Sequence, residues 1–305
     1  MFYYLFLIFS GLFGLIVGSF INVLTLRFNP DEPSKFKSAF HGRSHCPHCH
    51  RQLTWFELIP IFSFIFLRGK CRTCHQKISW QYPIVESLTA AVFVLLSYKI
   101  LNLNFLNYYL FSKPDIYFWA PLLVLLWFFF AAILISASII DSRHYIIPDK
   151  ITFWGVIIAF LASIGFFVLG KFPQLGFPKY SVNFLGAFAD PMILSLNPIF
   201  YSLIGAVILS AFLFFIFAIT GGKAIGFGDV KLAFFIGLML GPVSGVMAVM
   251  LSFVIGSVVG IYLIVSGKKK LKGAIPFGPF LSLGVLSVII FGETIVNFYL
   301  SLFPL

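Results

Sequence analysis

Long apolar runs broken by short polar clusters dominate this chain. A membrane-crossing helix needs about 20 mostly apolar residues. Eight runs of that kind are expected to be helical spans: 2–26, 82–101, 117–140, 151–170, 198–220, 230–246, 247–266 and 278–303. The sixth and seventh share one continuous stretch with Gly241-Pro242 inside it, and a single kinked helix there would leave seven spans. One segment breaks the pattern. Residues 27–80 are polar and basic, and hold all four cysteines and most of the histidines. The expected organisation is a first helix (1–26), a loop module (27–80) and a membrane core (81–305).

Composition agrees with the pattern. Of 305 residues, 60% are hydrophobic and 10% charged, and the mean hydropathy is +1.02. Soluble domains carry about 25% charged residues. A soluble enzyme, a disordered chain and a disulfide-stapled secreted domain are therefore excluded. The 41 Phe and 12 Tyr suit a surface that faces lipid and its interfaces. The fold class is an all-α polytopic membrane protein of about eight transmembrane helices with a cytoplasmic zinc-binding loop module between the first two.

The net charge of +11 is a topology signal before it is a nucleic-acid signal. Lys and Arg concentrate in cytoplasmic loops. With both ends outside and eight spans, only Lys99, Lys113, Lys171 and Lys179 of the 21 basic residues fall outside. Seven spans would move the 268–272 cluster outside as well. No nucleic-acid partner is expected. The first span has a basic loop after it and none before it, the reverse of a secretory signal peptide, and is expected to be retained. Gly14 and Gly18 in it suggest close helix packing. The segment 171–197, with Pro173, Pro178 and Pro191, suggests no function.

The cysteines read Cys46-Pro47-His48-Cys49 and Cys71-Arg72-Thr73-Cys74. Paired Cys-x-x-Cys knuckles are the pattern of a tetrathiolate zinc site, in which each knuckle aims two sulfurs at one tetrahedral ion. Four cysteines fill such a site, so the role is to fold the loop; His45, His48, His50 and His75 are bystanders. Redox dithiols are the alternative. Among the acidic residues of the membrane portion, Glu86 and Glu293 lie in spans, and Asp141 and Asp229 lie at the same membrane edge, 88 positions apart. Ionisable groups beside lipid are costly and mark function. Two close carboxylates share a proton: the ionised one activates water and the protonated one polarises a carbonyl. The bland alternative is that each caps a helix or pairs with Arg143 or Lys231. Gly226 and Gly228 would allow a close approach to Asp229.

An ordered set of motifs now emerges: Gly18-Ser19-Phe20-Ile21-Asn22-Val23, the two knuckles, Leu53-Thr54-Trp55-Phe56-Glu57-Leu58-Ile59-Pro60, Leu67-Arg68-Gly69-Lys70, Gln81-Tyr82-Pro83-Ile84-Val85-Glu86, Asp141 with Ile147-Pro148-Asp149, Gly226-Phe227-Gly228-Asp229-Val230-Lys231-Leu232, and Ile275-Pro276-Phe277-Gly278-Pro279-Phe280. The chain resembles the type IV prepilin peptidases, or leader peptidase/N-methyltransferases, along nearly its whole length. The resemblance implies an aspartic protease of the GxGD class with Asp141 and Asp229 as its catalytic pair and Gly226, Gly228 and Lys231 supporting the loop. It implies cleavage of a basic leader from prepilins or pseudopilins after a Gly, at the cytoplasmic face of the inner membrane. It implies N-methylation of the new N-terminus from S-adenosylmethionine, associated with Glu57, Gly69 and Lys70. Leu58, where the family often has Asn, and Ile225, where Met is usual, depart from the pattern. A peptidase without methyl transfer, a zinc-bearing assembly factor and a transporter are the other readings.

Overall fold

The computed structural model describes residues 2–30, 42–101, 116–170, 197–269 and 273–302. The segment 171–196, with most of the Pro-bearing loop, lies outside the described residues, as do residues 31–41 of the polar segment. The regular elements of the described residues are helices, with only two isolated bridges, so the all-α expectation holds. The helices are α1 (Phe2–Arg27), the short α2 (Phe62–Phe66), α3 (Gln81–Leu101), α4 (Ile116–His144), α5 (Asp149–Gly170), α6 (Pro198–Thr220), α7 (Phe227–Val265) and α8 (Gly278–Ser301). Six of them, namely α1, α3, α4, α6, α7 and α8, are long and apolar enough to cross a membrane. The protein is a multi-pass membrane protein.

Helix α7 has 39 residues, or roughly 58 Å at 1.5 Å per residue, far more than the ~30 Å hydrocarbon core. It is broken at Gly241, whose φ of 73° and ψ of −175° are not helical. A Cβ there would lie 1.9 Å from Cε1 of Tyr201, so the Tyr201 ring occupies the space a side chain would need. Pro242 follows and lacks the N–H that would continue the ladder. The break therefore falls at Gly241, five residues before the boundary expected between 246 and 247. Hydropathy is continuous across it, and only backbone chemistry marks it.

The chain forms two compact units: Met1–Asn102 with Val124–Ser136, and Leu103–Leu123 with Ala137–Leu305. In the first, α1 packs on α3 through glycines. A Cβ on Gly14 would sit 2.6 Å from Cα of Ala90, and one on Gly18 2.8 Å from Cα of Glu86. The Gly14/Gly18 pair is thus the close-packing seam read from its spacing. In the second unit, α6 and α7 approach just as closely. A Cβ on Gly237 would lie 2.4 Å from the carbonyl oxygen of Gly205. That contact fixes the first arm of α7, and with it the residue near its start, Asp229.

Candidate functional site

Two constellations stand out, one in each unit. In the first, each cysteine knuckle is a tight turn closed by one bridge, His45 with Gln52 and Lys70 with Lys77. The hydrogen bonds repeat. Cys46 N donates to Arg51 O (3.0 Å) and His50 N to Cys46 O (2.9 Å); Cys71 N donates to Gln76 O (2.8 Å) and His75 N to Cys71 O (3.0 Å). His50 and His75 both take φ 55° as the turns leave the second cysteine. The sulfurs of Cys46, Cys49, Cys71 and Cys74 all lie within 4.8 Å of one another. Cys46 Sγ and Cys74 Sγ are 3.8 Å apart, the edge (~3.8 Å) of a tetrahedron with metal–sulfur bonds of about 2.3 Å. Backbone N–H groups of Cys74 and then Thr73 push the Cys71 thiol down to about 6, whereas Cys74, despite the Gln76 amide, is pushed up to about 11 by burial and the sulfurs around it; the fold thus favours one thiolate, the form that binds metal, at Cys71. The donor set fits a four-thiolate metal centre.

The loop between the knuckles is organised by Glu57, buried at the third position of the single turn Trp55–Leu58. Its Oε2 accepts from Thr54 N (2.8 Å) and Thr54 Oγ1 (2.6 Å), and its Oε1 pairs with Arg51 Nη2. Burial pushes the Glu57 carboxyl up, but the Thr54 and Arg51 donors outweigh it and hold it below the usual carboxylate range. Gly69 turns the chain with φ 68°, and Phe64 packs against it. Lys70 is exposed. For a methyl donor the fit is therefore divided. Lys70 is free to meet an anionic group, whereas Glu57, with both oxygens engaged inside the loop, shapes the module instead of reaching out of it.

The second constellation holds Asp141 and Asp229, 5% and 6% exposed. Asp141 lies one turn before the end of α4. Its Oδ2 accepts from the backbone N–H of Gly278 at 2.9 Å. A Cβ on Gly278 would lie 2.8 Å from that same oxygen, so the Pro-Phe-Gly-Pro segment presents a bare amide to the carboxylate. One turn earlier, Ser138 Oγ donates to Ser282 Oγ (2.7 Å) and ties α4 to α8. In the sequence Gly278 stands within the Ile275–Phe280 motif, and a glycine between two prolines at the mouth of a span is the signal that marks it.

Asp229 is the third residue of α7, and its Oδ2 accepts from Gly226 N at 3.1 Å. This is a capping contact, as the bland reading of the sequence has it. Its other oxygen, Oδ1, is buried and has no hydrogen-bond partner among the described residues. Asp141 and Asp229 are thus both buried within the same compact unit. Gly228 brings the helices together here: a Cβ on it would lie 3.1 Å from Cβ of Ile147, on the turn that follows α4. Lys231 points elsewhere. Its Nζ is 2.6 Å from Oδ1 of Asp149, whose side chain is 71% exposed, and it lies over the Phe227 ring. Lys231 thus links α7 to α5 at the surface and pairs with Asp149, not with Asp229.

Residues 12–100 match the bacterial peptidase A24 N-terminal domain, and residues 128–261 match the type IV leader peptidase family. The chain is 30% identical to the prepilin leader peptidase/N-methyltransferase of Aeromonas hydrophila, over 96% of this chain and 93% of the relative. It is 30% identical to the protein of the same name from Bacillus subtilis, over 95% and 96% respectively. It is 29% identical to that of Legionella pneumophila, over 95% and 93%. No solved structure matches it. A chain that aligns end to end with these proteins, and whose halves match the two parts of one family, belongs to the type IV leader peptidase family.

Proposed function

We propose that the protein cleaves the leader peptide of prepilins or pseudopilins and N-methylates the new N-terminal residue, with Asp141 and Asp229 as the catalytic pair. One observation carries the peptidase reading: of two buried carboxylates in the same unit, Asp141 and Asp229, one keeps a buried oxygen without a partner among the described residues. A buried polar atom is normally hydrogen-bonded. Asp229 Oδ1 is therefore the natural seat for a water or a substrate carbonyl. The ionised carboxylate takes a proton from water as its oxygen adds to the scissile carbonyl after the leader's last Gly. The protonated partner hydrogen-bonds the carbonyl oxygen, and a proton passes to the leaving amine. The Gly278 N–H holds Asp141 in place throughout. Gly226 and Gly228 keep side chains away from the approach, while Lys231 fixes the loop from outside by its pair with Asp149.

Zinc is proposed for Cys46, Cys49, Cys71 and Cys74, where it would hold the 27–80 module in its fold. S-adenosylmethionine supplies the methyl group when bound, with Lys70 placed to meet its carboxylate and with Glu57 and Gly69 shaping the surface around it. The excess of Lys and Arg in the loops on one side supports a cytoplasmic position for both sites in the inner membrane.

The test is incubation of purified protein with a prepilin and mass measurement of the product. Cleavage plus one methyl group is expected. Asp141→Asn and Asp229→Asn should each lower cleavage by at least about 10³-fold, and the double variant no further, as for residues acting as a unit. Near-normal cleavage by Asp229→Asn would overturn the aspartic mechanism.

A further inference from the structure

The stretch between the two knuckles has a property that neither proposed reaction uses. Helix α2 buries none of its five residues, and four of them are Phe or Ile. Phe66 is 83% exposed, Trp55 78% and Trp80 70%, with Phe62 and Ile65 also exposed. So dense an exposed apolar patch marks a contact surface.

Two observations say what covers it. The first is depth. Helix α3 has 21 residues, about 31 Å, the thickness of a hydrocarbon core, so Gln81 lies near one edge. Glu86 is five residues further in, about 7.5 Å along the axis. The backbone N–H of Ile61 donates to Glu86 Oε2 at 2.8 Å. To make that bond Ile61 takes φ 62°, an unfavourable conformation for a β-branched residue. Glu86 thus pulls the loop down alongside the first turns of α3. Phe64 packs against Trp80, just before α3, with ring centroids 4.9 Å apart and the planes tilted by 57°. Interfacial segments bury their apolar side about 5–10 Å into the bilayer boundary, which is the depth Glu86 sets.

The second observation is charge and continuity. Residues 42–80 hold six basic residues and a single acid, Glu57, already paired with Arg51. Arg68 follows α2 and is exposed, and Arg72 lies over the Phe56 ring. The apolar patch runs on into Ile84 and Leu88, exposed on α3. An apolar surface at interfacial depth, ringed by cations and continuous with the flank of a spanning helix, fits an anionic bilayer surface.

We infer that residues 55–66 form a monotopic membrane anchor, with α2 and Trp55 in the headgroup–acyl boundary and Arg68 and Arg72 on anionic headgroups, held at depth by the Glu86–Ile61 bond. This anchors the cysteine module to the bilayer independently of its chemistry.

The test uses full-length protein in vesicles of phosphatidylcholine with phosphatidylglycerol and a phospholipid bearing a photoreactive acyl chain, with labelled peptides read by mass spectrometry. Peptides of 55–66 should be labelled as strongly as the exposed face of α1, and several-fold less in vesicles without phosphatidylglycerol. Phe66→Glu should lower labelling of 55–66 several-fold while the metal content stays unchanged; if that variant loses metal, Trp55→Gln replaces it. An unlabelled 55–66 segment beside a labelled α1 overturns the proposal. So does labelling indifferent to the substitution or to the anionic lipid. Displacement of the lipid label by excess prepilin would assign the patch to a protein partner and overturn it as well.

Discussion

Glu57 and Asp229 are two buried carboxylates in the same local geometry with opposite outcomes. Each is the third residue of a helical turn, and each reaches back to the N–H of the residue before that turn. For Glu57 that residue is Thr54, which adds its hydroxyl, and Arg51 takes the remaining oxygen. For Asp229 it is Gly226, which has no side chain to add, and Oδ1 is left open. A carboxylate whose lone pairs are all engaged is a fastener. One left half-satisfied in a buried place is an open acceptor, because an unpaired buried polar atom costs about 1–3 kcal/mol that a ligand can recover. The second donor, Arg51 on Glu57 Oε1 and none on Asp229 Oδ1 among the described residues, separates the two.

The largest effect short of removing an aspartate comes from moving one. Gly278→Ala places a methyl group 2.8 Å from Asp141 Oδ2. The carboxylate must shift, and cleavage should fall by about 10²-fold, the scale of a 1 Å misplacement. Steady-state kinetics with a fluorogenic leader peptide checks it. Cys71→Ser should lower metal below about one ion per chain and open the module to protease, read by elemental analysis and limited digestion. Full metal content in that variant would remove Cys71 from the ligand set.

Glu57→Gln addresses the fastener. It should cost the module about 1.5–3 kcal/mol through its charge-assisted bonds and lower methyl transfer, with leader cleavage retained. The pH dependence has a definite sign. A carboxyl held below its ordinary value contributes stability above the unfolded value of about 4.3, and that contribution is lost as pH falls through the lower folded value. Acid melting of the module should therefore carry a Glu57 component that Glu57→Gln lacks. The smallest effect is the sharpest test of the comparison. Gly226→Ser gives Asp229 the hydroxyl that Glu57 already has. Gly226 has φ −79°, which any residue adopts, and a Cβ there meets Asp229 Oδ2 at an ordinary 3.5 Å. The helix should gain a few tenths of a kcal/mol, while cleavage stays within about twofold of normal, because the new hydroxyl meets the already bonded Oδ2 and leaves Oδ1 open. A large loss of cleavage in this variant would show that the cap residue, and not the missing second donor, keeps Asp229 open, and would break the comparison.

What the sequence made legible follows from range. The knuckles and the Gly14/Gly18 seam are local patterns, and each emerged as its spacing indicates; the helical runs emerged as helices, except that 230–246 and 247–266 join in one helix broken at Gly241. The Thr54-x-x-Glu57 spacing carried a capping-box signal too, although the surrounding apolar run masks it. The bond from Gly278 to Asp141 spans 137 positions, and nothing in either segment names the other. The reach of Glu86 to Ile61 is likewise a product of folding: hydropathy places Glu86 in a span without saying what its carboxylate holds. Lys231, beside Asp229 in sequence, turned out to serve Asp149, because neighbouring residues on a helix face different sides.

The glycine seam between α1 and α3 also orders events during synthesis. Gly14, Gly18, the four cysteines and Glu86 all precede residue 102, whereas Asp141 and Asp229 come later. Domains tend to fold as they leave the ribosome, N-terminal parts first. The α1–α3 pair, its buried carboxylate and its cysteine module can therefore assemble before either aspartate has been made. The newborn chain meets the bilayer as a hairpin carrying the cysteine module, and the bond from the Gly278 amide to Asp141 forms only when the last helix arrives.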